Sequence, residues 1–95
     1  MDKAEARALL KQQLATYVGR PYQDLVKLVG INSTLEVSGP SGVEYQIEID
    51  IMWDSPREKV DIRVMGTIDD GRLPGALTPL CDSLIFTPDG KLRGD

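Results

Sequence analysis

The segment VEYQIEIDIMWD at positions 43–54 constrains the fold more than any other part of this chain. Val43, Tyr45, Ile47, Ile49, Ile51 and Trp53 alternate with Glu44, Gln46, Glu48, Asp50 and Met52. A strict period of two is the signature of a strand with one apolar and one polar face. A helix would scatter both sets around its circumference.

Three further segments read the same way. In TLEVSG, from position 34, Leu35 and Val37 share one face, and GPSG at 39–42 supplies turn chemistry before the long strand. DSPREK breaks that strand with a proline and charges, and VDIRVMGTID resumes the alternation. There Val60, Ile62, Val64, Gly66 and Ile68 face one way, while Asp61, Arg63, Met65 and Thr67 face the other. A glycine inside a strand marks a bulge or a close backbone approach. SLIFT, from position 83, reads as a last strand, PDG at 88–90 as a turn, and KLRGD as a tail that either hangs loose or adds one short pairing.

The period is different before position 30. Ala6, Leu10, Leu14, Tyr17 and Val18 recur at spacings of three and four, which predicts an amphipathic helix over 2–18, capped by Asp2 and closed by Gly19. Pro21 suits the first turn of a second, shorter helix, PYQDLVKLVG, with Tyr22, Leu25, Val26 and Val29 as its apolar side. One sheet face is almost wholly apolar and has to be covered, and the first helix carries the matching stripe. The expectation is an α+β two-layer sandwich, with the N-terminal helix and a short second helix packed on one face of a four-stranded antiparallel meander. Its 95 residues make a single domain, helical over 2–29, sheet over 33–88 and tail over 89–95.

Composition narrows the function classes. The net charge is −4, and the 11 Lys and Arg residues are scattered, so no basic run can neutralise a line of phosphates and nucleic acid is not the expected ligand. No apolar stretch approaches the length of a membrane span, and no apolar leader of the secretory kind is recognisable. A single cysteine, Cys81, agrees with a reducing compartment, and the chain reads as cytoplasmic. Histidine is absent, which removes His-based triads and most zinc sites.

The longest connector, DDGRLPGALTPLCD at 69–82, gathers Asp69, Asp70, Arg72, Thr78, Cys81 and Asp82 near two strand ends. Asp69 and Asp70, with Asp82, have the hard oxygen donors a cation needs, although the ligand pattern of an EF-hand is missing. The plainer reading is favoured: DDG and LPG are turns, and Thr78 caps a single helical turn opened by Pro79. Leu73, Leu77 and Leu80 then plug the open end of the sandwich. Cys81 in such a turn would meet the helix N-terminus that activates a thiol, against the commoner reading of a buried cysteine.

The polar sheet face collects Glu44, Gln46, Glu48, Asp50, Asp61 and Arg63, with Met52 and Met65 among them. It reads as a solvated face, or as an acidic surface suited to a basic protein. Tyr17, Tyr22, Tyr45 and Phe86 fall on core stripes, whereas Trp53, at a strand end, is a candidate partner anchor. A meander also leaves two strand edges open to pairing, with TLEVSG carrying little guarding charge besides Glu36.

The reading as a whole is a small non-enzymatic protein-protein interaction or regulatory module, with no catalytic residue, metal or cofactor. Its partner would be a protein, with self-pairing through a strand edge as one form. The alternative is a small-molecule or metal-binding protein, or a weak enzyme, with its site at the 69–82 loop, carried by Asp69, Asp70, Arg72 and Asp82.

Overall fold

The computed structural model describes residues 2–71 and 79–93. Asp2 caps helix α1 (Lys3–Ala15), its Oδ1 accepting the Glu5 N–H at 3.0 Å. The helix stops before the predicted end because its last turn tightens. The N–H groups of Thr16, Tyr17 and Val18 donate to carbonyls three residues back, and the Thr16 hydroxyl also donates to the Gln13 carbonyl. Such a 3₁₀ ending suits a β-branched and aromatic run. It turns Tyr17 into the core and Val18 out of it, so Val18 is 49% exposed and leaves the predicted stripe. Helix α2 (Tyr22–Leu28) follows, with Pro21 as its N-cap in extended backbone rather than inside the first turn.

The sheet is an antiparallel meander in the order β1-β2-β3-β4, made of β1 (Asn32–Ser38), β2 (Glu44–Trp53), β3 (Ile62–Asp69) and β4 (Leu80–Phe86). The Gly39–Gly42 turn closes the first hairpin, with Gly39 and Val43 bonded at 2.8 Å and Gly42 at φ 89°. β3 begins two residues later than its alternation suggested, and Val60 is exposed at 43%. The DSPREK turn extends to Asp61, whose carbonyl accepts the Asp54 N–H, while the Val60 carbonyl accepts the Tyr22 hydroxyl.

β4 corrects the expectation for the loop. Pro79 and Leu80 do not open a helical turn; Leu80 begins the strand, three residues earlier than SLIFT implied. Leu80, Asp82, Leu84 and Phe86 stand opposite Ile68, Gly66, Val64 and Ile62, on the same sheet face. The predicted plug residues Leu73 and Leu77, with Arg72 and Thr78, lie outside the described residues. The tail is paired: Leu92 bridges to Phe86, and the Arg93 N–H donates to the Ile85 carbonyl at 2.8 Å.

α1 packs on β3 and β4, with Ala6, Leu10 and Leu14 buried against Ile47, Ile49, Ile51, Ile62, Val64 and Ile68. Gly66 is where it comes closest. A Cβ there would meet Leu10 Cδ1 at 2.7 Å and Ile49 Cδ1 at 3.1 Å, so the glycine is a close-approach site, and the strand passes through it in unbroken register. The Glu5 carboxylate ties α1 to the first hairpin, accepting from the Ser41 hydroxyl at 2.7 Å, the Ser41 N–H at 3.0 Å and the Tyr45 hydroxyl at 2.8 Å. Among the described residues no helix is long and apolar enough to cross a membrane.

Candidate functional site

With the helices on one side, the pairing register defines rows across the other side of the sheet. Asn32, Asp50, Met65 and Ser83 form one row; Thr34, Glu48, Thr67 and Cys81 form the next; Glu36, Gln46 and Asp69 form a third. Met52, Arg63 and Ile85 make up the row at the far end. The alternation in β1, β2 and β3 therefore stacks carboxylates: Glu36, Glu44, Glu48, Asp50 and Asp69 all face outward.

Arg63 is the single cation among the described outward-facing strand residues, and its donors are already engaged. Its Nη2 lies 2.8 Å from Asp54 Oδ1 and its Nη1 donates to Ser83 Oγ at 3.1 Å. Arg93 adds to this group, reaching Asp54 Oδ2 at 2.8 Å and Asp61 Oδ2 at 2.7 Å. Bonding to Arg63 first, and then to Arg93, holds the Asp54 carboxyl below the usual carboxylate range. Arg93 thus runs from the Ile85 carbonyl to the β2–β3 turn. That span accounts for Ile85 being buried although its register faces outward.

Elsewhere on the face the described carboxylates accept hydrogen bonds from neutral groups. Asn32 Nδ2 donates to Asp50 Oδ1 at 2.5 Å and to Glu48 Oε2 at 3.2 Å, so one amide holds two carboxylates side by side. Thr34, Gln46, Glu48, Thr67 and Asp69 line a hollow of about 120 Å³. Asp70 and Gly71 line an adjoining hollow of about 180 Å³ with Glu36, Glu44, Tyr45 and Gln46. The acidic face is therefore continuous with the start of the long loop.

The predicted site residues separate into different places. Asp69 belongs to the acidic face, and its Oδ1 accepts the Gly71 N–H at 2.8 Å, which is turn chemistry with Gly71 at φ 71°. Asp70 lies next to it. Asp82 does not join them: it stands opposite Gly66 on the helix-bearing face, beside Lys11, Leu14 and Leu84. Arg72 lies outside the described residues. Trp53 pairs with Ile62 at the end of the core face and is half-buried against the core.

Cys81 is neither in a helical turn nor buried. It is exposed in β4 opposite Thr67, because the strand reaches back to Leu80. Among the described residues no group of three or more Asp, Glu, Cys or His is arranged to hold a metal ion.

Sequence reasoning missed Asn32, Asp54 and Arg93. Nothing in the chain marks them, since their partners become neighbours only through register and the turn at 54–61. Glu5 had a signal, three residues after the capping Asp2, which is the spacing of a capping box. Its carboxylate instead reaches across to Ser41 and Tyr45.

No family model matches this chain, and the searches of curated proteins and of solved structures found no match either.

Proposed function

We propose that the protein is a non-enzymatic interaction module of the cytoplasm, and that its outer sheet face docks on a basic surface of a protein partner. One observation carries the reading. Five outward carboxylates, Glu36, Glu44, Glu48, Asp50 and Asp69, share a face whose only described strand cation, Arg63, is engaged by Asp54 and Ser83. Such a field steers and orients a cationic partner. The half-buried Met52 and Met65 add apolar, adaptable contact within that field. Self-pairing through a strand edge belongs to the same reading. The exposed thiol of Cys81, the chain's one cysteine, suits a reducing compartment.

A titration calorimetry series tests the face. A lysine- and arginine-rich peptide should bind, more weakly as salt is raised, and a glutamate-rich peptide of equal length should not. A Glu48→Lys, Asp50→Lys double variant should lose the binding while keeping its far-ultraviolet circular dichroism. Equal binding by the variant would move the site off this face.

A further inference from the structure

The strand order leaves β1 and β4 as edges, and the two are built differently. β4 follows Pro79, turns Asp82 toward the helix layer, and is met at its end by Leu92 and Arg93. A proline, an inward charge and a covering segment all discourage a strand edge from pairing with another chain. Among the described residues β1 has none of them. It holds an ungapped register with β2 over Asn32–Ser38, without proline or lysine, and its one charge, Glu36, faces outward from the helix layer.

The hydrogen bonds at its two ends fix which groups are exposed along that edge. The Gly39 N–H donates to the Val43 carbonyl, and the Ile31 carbonyl accepts the Ile51 N–H. Residues of an antiparallel ladder bond to alternate sides. Ser33, Leu35 and Val37 therefore bond to β2, and the N–H and C=O groups of Asn32, Thr34, Glu36 and Ser38 point away from the sheet. Among the described residues no strand pairs with that side of β1.

We propose that a second copy of this chain pairs with β1 in antiparallel fashion, about a two-fold axis at Leu35. An isologous pair must keep each residue opposite one on the same face, so the axis passes through a residue. At Leu35 the whole strand overlaps. Asn32 then meets Ser38 and Thr34 meets Glu36, in both directions, and each outward-bonding residue donates once and accepts once. An axis at Glu36 would set two carboxylates directly opposite, which is unfavourable. An axis at Thr34 would leave Val37 and Ser38 beyond the partner's strand. The Leu35 axis also brings the two half-buried Leu35 side chains together on the helix-bearing face and sets each Val37 against a Ser33. The inference rests on the chain acting through protein contacts but not on its acidic face, which the dimer would extend from one copy into the next.

Sedimentation velocity over a concentration series tests it, with three variants beside the wild type. Thr34→Glu puts a second carboxylate opposite Glu36 at two symmetric places and should weaken the dimer on the order of tenfold. Thr34→Lys should tighten it to a similar degree. Glu36→Pro removes an outward N–H, spares every bond to β2, and should abolish pairing while circular dichroism stays native. Wild-type protein that is monomeric up to about 1 mM overturns the proposal, as does a dimer indifferent to both Thr34 substitutions. Should Glu36→Pro fail to fold, the Thr34 pair decides alone. The Glu48→Lys, Asp50→Lys variant separates the two readings, because both residues lie on β2 away from the pairing edge, so it should lose the peptide and still dimerise.

Discussion

Gly66 lies so close under Leu10 that a Cβ on the glycine would stand 2.7 Å from Leu10 Cδ1. Leu14 Cδ2 and Ile49 Cδ1 close the remaining sides. Gly66→Ala should therefore destabilise the fold by about 1–3 kcal/mol, the usual cost of overpacking a tight core, despite alanine's better fit to a strand. Urea unfolding of the two proteins measures the difference. Gly66→Val should be worse.

The Tyr45 phenol is pushed up to about 12, by burial first and then by its bond to the Glu5 carboxylate. The unfolded phenol ionises near 10. Between those values the folded state binds more protons than the unfolded one, so the stabilisation is whole below about pH 10 and is lost as pH rises through the folded value. Absorbance at the phenolate band should show a Tyr45 step near the raised value. Tyr45→Phe should remove that step and flatten the loss of stability above pH 10.

Asp54 behaves in the opposite sense. Arg63 and Arg93 depress its ionisation below the ordinary value, so its contribution is present above about pH 4 and fades as pH falls through the depressed folded value. The stability difference between wild type and Asp54→Asn should be flat from pH 5 to 8 and should narrow in acid, as followed by thermal melts across the series. Arg93→Ala should also speed amide exchange at position 93, whose N–H is bonded to the Ile85 carbonyl.

Cys81 should react with a maleimide to one equivalent without denaturant, because it is exposed in β4. Its place opposite Thr67, in the row with Glu48 and Thr34, makes a fluorophore there a reporter for the acidic face. A thiol that reacts only after unfolding would contradict the extension of β4 back to Leu80.

The sandwich was legible because Val43 to Trp53 alternates without a break and Ala6, Leu10 and Leu14 keep one helical stripe. β4 was harder to read. Asp82 occupies a position on the helix-bearing face, so the apolar alternation from Leu80 to Phe86 is interrupted where a reader expects leucine. Val18 and Val60 fall inward only if each period is extended past the point where a tight turn ends it. The acidic residues of the outer face were each visible, but their grouping into rows depends on pairing offsets that the turns set. The bonding direction of β1 was out of reach for the same reason, since it depends on Gly39 meeting Val43 and on Ile31 meeting Ile51.

The seating of α1 on β3 and β4 has a consequence for how the chain is made. The helix emerges before α2 and every strand, yet one of the two strands it packs on is the last of the sheet. Its stripe of Ala6, Leu10 and Leu14 therefore lacks its full seat until β4 is made, while each hairpin can close on a neighbour just translated. The seat is complete only with the last strand, and a chain stalled before β4 carries a helix with part of its seat missing. Such a truncated product would be recognised by the exposed stripe, which is the kind of surface chaperones and proteases act on.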